Sequence, residues 1–336
     1  MISYVKYIQI HIRLRKGAPN MPKTTPITPV IAFLEHELVK LWLQNTTSLN
    51  SRAARKQDLV EFIFMFKITS VDDFKEIERS DIISWRDSLA KTKVKEGYAI
   101  RSIKRKLSSV SKFFEFLCDE KFVEINPVLG VERPKLKANE GVTQAISTQQ
   151  AKDLLDTPDP KTLKGKRDRA ILATFLFHAL RRSELCNLKI KDIVEREGIK
   201  QFEIMGKGDK VRYVPINPVA IRRISEYLEA SGPQHAGNKD SAIFRALSNN
   251  KKFSTTGMTP IAIYNLVIRY GQKAGIDTSH YSPHSLRATA ATQALLNGVD
   301  IRKVQYWLGH ASIQTTAMYD KRENRPEESP SYRVSY

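Results

Sequence analysis

Little in this sequence would suit it to an oxidising or membrane setting. Only two of its 336 residues are cysteine, Cys118 and Cys186. Each sits among apolar neighbours, in FFEFLCDE and SELCNL, which fits buried, reduced thiols in a reducing cytoplasm and leaves no disulfide framework. No Cys/His cluster has zinc spacing. No apolar run approaches the roughly 20 residues of a membrane span. The opening, MISYVKYIQIHIRLRK, alternates apolar with charged residues and forms no signal-peptide core. There is no internal repeat and no low-complexity tract. Acidic residues are also scarce: 36 against 55 basic ones, for a net charge of +19. That balance favours a polyanionic partner, and without a span nucleic acid leads.

What is present is enough for two domains with real cores, since 41% of the residues are hydrophobic. Residues 1–29 end in the Pro-rich GAPNMPKTTPITP and read as a flexible basic lead-in, with Met1 and Met21 as alternative starts. From residue 30 to 131 the apolar spacing of three and four predicts helices. VIAFLEHELVKLWL, RKQDLVEFIFMF and SDIISWRDSLA come first, the last with Ser80 or Asp81 as its cap. YAIRSIKRKLSSVSKFFEFLC then puts Ile100, Ile103, Leu107, Val110, Phe114 and Leu117 on one stripe. Arg101, Lys104, Arg105 and Lys112 lie off it, and the preceding loop adds Lys91, Lys93 and Lys95. A basic face opposite a core stripe reads as a phosphate-tracking surface; a solvated face is the blander reading. Between Lys91 and Lys112 the only acid is Glu96, which favours DNA.

Residues 132–143 form a linker, in a stretch where prolines and glycines interrupt alternating charge. The second domain, 144–322, opens with Ser147 as a helix cap. RDRAILATFLFHALRRSELCNL predicts an apolar helix that turns polar at Arg181. GIKQFEIMGKGDKVRYVPI alternates on both sides of GKGD, a β-hairpin with a Gly-rich turn. Helical patterns return in PVAIRRISEYLEA, TPIAIYNLVIRYGQKAG, SPHSLRATAATQALLNG and DIRKVQYWLG. The fold class is therefore mainly α with a small antiparallel sheet.

Five residues of this half could surround one phosphate. His284 and Arg287 share a face in the first turn of a helix, beside backbone N–H groups that favour anions. Arg181, Lys207 and His310 stand at a helix end, a hairpin tip and after a helix-ending glycine. Singly, each has an ordinary structural reading: a carbonyl cap, an exposed turn lysine, a satisfied histidine. Jointly, arginine forks would bind nonbridging oxygens, a histidine would move protons, and the lysine would protonate a leaving alkoxide. Tyr319, in SIQTTAMYD, would supply the nucleophile, its phenol pKa of about 10 requiring that cationic setting.

These boxes resemble those of the tyrosine recombinases, of the phage-integrase, Xer-like type. ALRRSEL is similar to the family's GLRxSEL box, GKGDKVRYVPI to its hairpin box, and HSLR and LGHASIQTTAMY supply the rest. The ordered set Arg181, Lys207, His284, Arg287, His310 and Tyr319 is complete, with Glu184 in a supporting place. Ala179 stands where the family's glycine is usual and Ala288 where His or Arg is common. Lys210 competes with Lys207 for the lysine role. The resemblance implies a helical SAM-like core-binding domain and a tyrosine-recombinase catalytic domain closing on DNA as a C-clamp. It implies a site-specific recombinase that cuts and rejoins strands through a 3′-phosphotyrosyl link, for integration, excision or resolution of DNA elements. No metal or other cofactor is then needed, in keeping with the lack of a P-loop or carboxylate cluster. The implied partner is double-stranded DNA, bound by a homo-tetramer on two sites and by a monomer or weak dimer when free. The tail, 323–336, would dock in trans on a neighbouring copy. Alternatives are type IB topoisomerase-like relaxation and a non-catalytic DNA-binding protein.

Overall fold

Helix α1 (Glu37–Gln44) starts where the His36 side chain accepts from the Leu38 amide. The expected longer helix from residue 30 is thus broken at 35–36. The computed structural model describes residues 33–90, 97–135, 143–206, 210–247, 253–322 and 330–333. These divide into two units at Glu140/Gly141.

In the first unit, α2 (Leu49–Phe66) is capped by the Ser48 hydroxyl and stops at Lys67, whose φ of 53° breaks the helix. Helix α3 (Arg79–Ala90) begins one residue before Ser80 and two before Asp81, the expected caps. Asp81 instead reaches back, accepting from the Glu78 amide at 2.9 Å. Helix α4 (Ile100–Asp119) buries Ile103, Leu107, Val110, Phe114 and Leu117 as its stripe predicts, together with Phe113. Ile100, at the first turn, is only half-buried. The core is aromatic: Phe62 meets Trp85 edge-on at 4.9 Å and Phe74 meets Phe113 at 5.2 Å, contacts worth more than their area alone.

The basic face of α4 needs a correction. Arg105 donates to Asp58 of α2, and Lys106, only 1% exposed, pairs with Glu61. Ser109 also donates to Asp58, at 2.7 Å. Asp58 and Glu61 lie three residues apart, so one face of α2 offers both carboxylates to α4. A buried ammonium survives only when paired, which is why a lysine can stand among core residues. Arg101 is exposed, Lys104 half-buried, and Lys112 exposed on an ion pair with Glu115 at 2.6 Å. Lys91, Lys93 and Lys95 lie outside the described residues.

The second unit opens with α5 (Thr148–Asp156), where Ser147 and Gln150 close a capping box. The apolar run expected as one helix to Arg181 is two elements. Helix α6 (Leu163–His178) ends at Ala179, which takes a left-handed φ of 51°, and α7 (Arg182–Asn187) starts anew. Strands β1 (Ile193–Arg196), β2 (Ile199–Met205) and β3 (Val211–Pro215) form an antiparallel sheet in that order. The pairing of Phe202 with Val214 and Ile204 with Arg212 turns alternate residues of β2 and β3 inward. Strand β1 was not expected; Glu197 and Gly198, at φ 50° and 73°, make the two-residue turn that pairs it with β2. Helices α8 (Pro218–Ser231) and α9 (Pro233–Ala236) follow, then strands β4 (Arg245–Leu247) and β5 (Phe253–Gly257). Next come α10 (Pro260–Lys273), α11 (Pro283–Leu296), α12 (Ile301–Leu308) and α13 (Ile313–Ala317). Phe175, Phe202, Tyr227, Phe244 and Leu266 are among the residues of one apolar core.

His178 ties α6 to the start of α8. It is wholly buried; Nδ1 donates to the Thr174 carbonyl at 3.1 Å and Nε2 accepts from the Asn217 amide at 2.9 Å. Burial pushes its pKa down to about 4, against the pull of the Thr174 carbonyl. A depressed histidine keeps its stabilising share above the unfolded value, about 6.5, and loses it as pH falls toward 4. Urea melts at pH 7 and 4.5 should therefore show wild type losing about 2–3 kcal/mol more than His178→Gln. Parallel losses in the two proteins would refute this assignment.

Candidate active site

Separate segments of the second unit bring Arg181, Glu184, His284, Arg287, His310 and Tyr319 together. The first is the bend at Ala179. Its left-handed backbone turns the chain out of α6 and leaves Arg181 extended, at φ −69° and ψ 149°, as the residue before α7. Arg181 is therefore not the cap of a finished helix. Its amide and Nη1 both donate to Glu184, each at 2.7 Å, and its Nη2 donates to the Gly309 carbonyl at 2.7 Å.

Glu184 is 8% exposed and takes two more bonds from Arg212, from Nη1 at 3.0 Å and Nη2 at 2.8 Å. Burial would raise its pKa, but the hydrogen bonds from Arg212 and Arg181 outweigh it and hold the carboxyl below its usual range. Arg212 was missed by the sequence reading. It is 6% exposed, and its Nε also donates to the Trp307 carbonyl at 3.3 Å. The signal was available: in VRYVP, period-two alternation puts Arg212 on the same inward face as Val214. Gly309, at φ 64°, closes α12 directly over this guanidinium; a Cβ there would lie 3.2 Å from Nη1 of Arg212. Glycine is needed for both reasons.

Helix α11 supplies His284 and Arg287. Its first turn is less open to anions than its sequence suggests, because the Ser282 hydroxyl already accepts from the His284 amide at 3.2 Å. Side chains carry the site instead. Arg287 is 1% exposed. Nη1 donates to the Ala179 carbonyl, Nη2 donates to the Leu308 carbonyl at 2.6 Å, and Nη2 also lies 3.0 Å from Nε2 of His310. Its buried Nε–H has no hydrogen-bond partner among the described residues. A buried donor in that state is the kind of group that an anion's oxygen could pair. Burial, then the Arg181 charge, pushes the Arg287 pKa down to about 10, so it stays a cation at neutral pH.

His310 follows Gly309, and its Nδ1 lies 2.9 Å from the Thr316 hydroxyl. Burial and the charge of Arg287 push its pKa down to about 4. Tyr319 lies just past α13. It is 4% exposed, packed with Ala288, Ala291, Leu295 and Leu308. Packing does not exhaust its role, because its Oη lies 3.2 Å from Nε2 of His284. Its ring stacks on His310 with centroids 6.1 Å apart. Burial raises the phenol pKa and Arg287 and Arg181 pull it back, with a net rise. The hydroxyl is thus protonated at rest, beside an imidazole nitrogen.

Lys207 lies outside the described residues. Lys210 is exposed at the base of β3, and its carbonyl accepts from the Gly206 amide at 2.8 Å. Among the described residues, no group of three or more His, Cys, Asp or Glu side chains could hold a metal ion, and no helix is long and apolar enough to cross a membrane.

Comparison with known proteins gives concordant matches. A profile described as "Phage integrase family" matches residues 144–325, and one described as "Phage integrase, N-terminal SAM-like domain" matches residues 33–121. Tyrosine recombinase XerD of Proteus mirabilis is 32% identical over 288 residues, covering 85% of this chain and 87% of the relative. Tyrosine recombinase XerC of Myxococcus xanthus is 36% identical over 222 residues, covering 66% and 72%. Among solved structures, the XerH site-specific recombinase bound to palindromic difH substrate has a TM-score of 0.66 at 20% identity, covering 94% of this chain and 91% of that one. The Tn1549 transposon integrase in complex with circular intermediate DNA also reaches 0.66, at 16% identity, covering 89% and 99%. At these identities the two structures speak to the fold.

Proposed function

The chain belongs to the phage integrase family of tyrosine recombinases and is a DNA strand-transfer enzyme of site-specific recombination, and from this we propose that Tyr319 is its nucleophile. The observation that carries the reading is the Tyr319 hydroxyl, 3.2 Å from a histidine nitrogen, in a cluster whose Arg287 keeps a buried donor unused among the described residues.

The scissile phosphate docks between Arg181 and Arg287, whose guanidinium donors take its nonbridging oxygens. Tyr319 Oη attacks phosphorus, its proton passing to Nε2 of His284. The P–O5′ bond breaks, and Lys207 delivers a proton to the departing 5′ oxygen. The 3′-phosphotyrosyl link conserves the bond, so a 5′-hydroxyl from a partner strand reverses the step without ATP. The arginines, already fixed by Glu184 and by backbone carbonyls, need little rearrangement to stabilise the charge developing on phosphorus.

On this reading residues 30–131 bind the DNA core, 132–143 link the halves, and 144–322 cut. Four copies assemble on two duplex sites, with the tail, 323–336, docking in trans. A nicked suicide duplex tests the chemistry. Incubated in EDTA and run under denaturing conditions, the protein should migrate as a covalent DNA adduct, and peptide mapping should put the DNA on Tyr319. Relaxation of plasmids lacking any specific site would move the reading to a topoisomerase.

The outer face of α4 supplies a second test. Arg101 and Lys104 reach outward, whereas Arg105 is engaged with Asp58. Arg101→Glu with Lys104→Glu should weaken DNA binding by about 10²-fold at moderate salt and flatten the salt dependence by about 2 in log–log slope. Unchanged affinity in a gel-shift titration would take this helix out of the interface.

A further inference from the structure

Three residues of α11 face Tyr319. His284, Ala288 and Thr292 follow one another at intervals of four, which sets them on one side of the helix. His284 Nε2 lies 3.2 Å from the Tyr319 hydroxyl, Ala288 is packed in the same apolar cluster as the Tyr319 ring, and the Thr292 hydroxyl donates to the Tyr319 carbonyl at 3.2 Å. The direction of the last bond is fixed, because a carbonyl only accepts. A helical threonine has another outlet for its proton, the carbonyl four residues back. Thr289, on the same helix, takes that outlet and donates to the Ser285 carbonyl at 2.7 Å, as Thr174 does to Ala170 at 2.8 Å. Thr292 turns its hydroxyl to Tyr319 instead.

The segment that carries Tyr319 gains from such a tie. It follows α13, which has only five residues. The Tyr319 amide donates to the Thr316 carbonyl at 2.9 Å and the Asp320 amide to the Ala317 carbonyl at 3.0 Å. Both bonds are local and would travel with the segment if it moved. The Thr292 bond spans 27 residues and fastens the segment's backbone to the helix that carries His284 and Arg287. A phenol swings on two side-chain torsions with few preferred settings, so the place of the backbone sets the reach of the hydroxyl.

We propose that Thr292 is a positioning residue for the nucleophile: its bond to the Tyr319 carbonyl, with the His284 contact at the far end of the same residue, makes α11 a two-point splint that holds Oη in line with the phosphate. Loss of the Thr292 donor frees the backbone end. The phenol then pivots about His284, and attack slows because it depends on small displacements of the reacting atoms. This inference rests on the proposed role of Tyr319 and names what holds it in place.

The test uses the full chain with Thr292→Val, which keeps the volume and loses the donor, and Thr292→Ser, which keeps the donor. Single-turnover cleavage of the suicide duplex should fall about 10- to 100-fold in Thr292→Val, the loss that a displacement of up to about 1 Å at the reacting atom brings. DNA affinity should hold, and Thr292→Ser should recover most of the rate. In the DNA-free protein, hydrogen exchange at the Tyr319 and Asp320 amides should quicken about 10-fold in Thr292→Val, the worth of one modest hydrogen bond. It should stay near the wild-type value in Thr292→Ser. Full-rate cleavage by Thr292→Val, equal losses in the two variants, or unaltered exchange at both amides would each overturn the proposal. Should Thr292→Val not fold, Thr292→Ala, which also lacks the donor, takes its place with the same expected results. The exchange measurement requires no cleavage. If Tyr319→Phe still forms the adduct, the site reading fails whatever the exchange shows; if Tyr319→Phe is inert and the exchange is unaltered, this inference fails alone.

Discussion

Tyr319→Phe should form no covalent adduct on the suicide duplex, with or without EDTA, while binding DNA as wild type does. The substitution removes one oxygen from a residue whose ring is packed among Ala288, Ala291, Leu295 and Leu308. The apolar contacts persist, so the cost in stability is that of one modest hydrogen bond to His284, about 1 kcal/mol. Cleavage loses its nucleophile outright. Tyr306, exposed on α12, and Tyr332, exposed in the tail, have no comparable position beside Arg181 and Arg287. A covalent band of wild-type intensity in Tyr319→Phe would sink the assignment, and mapping that band would name the true nucleophile.

Arg212→Met carries the second large effect. Glu184 lies almost out of water with two guanidinium groups as its counter-charges. Removing Arg212 leaves that carboxylate half-compensated and opens space beneath Gly309, at a cost of about 3–5 kcal/mol. In a unit of this size the midpoint of thermal unfolding should fall by about 10 °C. Cleavage should fall as well, because Arg181 and the Gly309–His310 turn both lean on this carboxylate and its arginine. Pairing Arg212→Met with Glu184→Leu should restore most of the melting temperature, since the stranded charge is gone, yet restore none of the cleavage. A single variant that melts like wild type would rule out a structural role for Arg212; a double variant that cleaves would remove Glu184 from the support of Arg181.

The contrast between Arg181 and Arg212 marks what the sequence makes legible. Arg181 is visible because it interrupts an apolar run and stands in a box with recognisable neighbours. Arg212 sits in a strand where alternation is clear, but a charged residue on the inward face reads as solvent-facing until its partner is known, and Glu184 is 28 residues away. The end of α6 was hidden for a different reason. Alanine is a strong helix former, so the left-handed turn at Ala179 is masked by its side chain and hinted at only by the glycine usual there in the family; Arg287, from α11, donates to its carbonyl there. The apolar stripe of α4 was legible because periodicity depends only on the chain itself. The attachment of Arg105 and Lys106 to α2 was not, because it depends on which helix lies opposite.

That attachment bears on any attempt to redraw the proposed DNA-binding surface of α4. Helix α4 cannot be transplanted alone: a graft without Arg105, Lys106 and Ser109 would leave Asp58 and Glu61 facing a core with no counter-charge. The smallest exchangeable cassette is α2 and α4 together. Within α4, the positions open to randomisation are those whose side chains owe nothing to the neighbouring helix, Arg101 first among them.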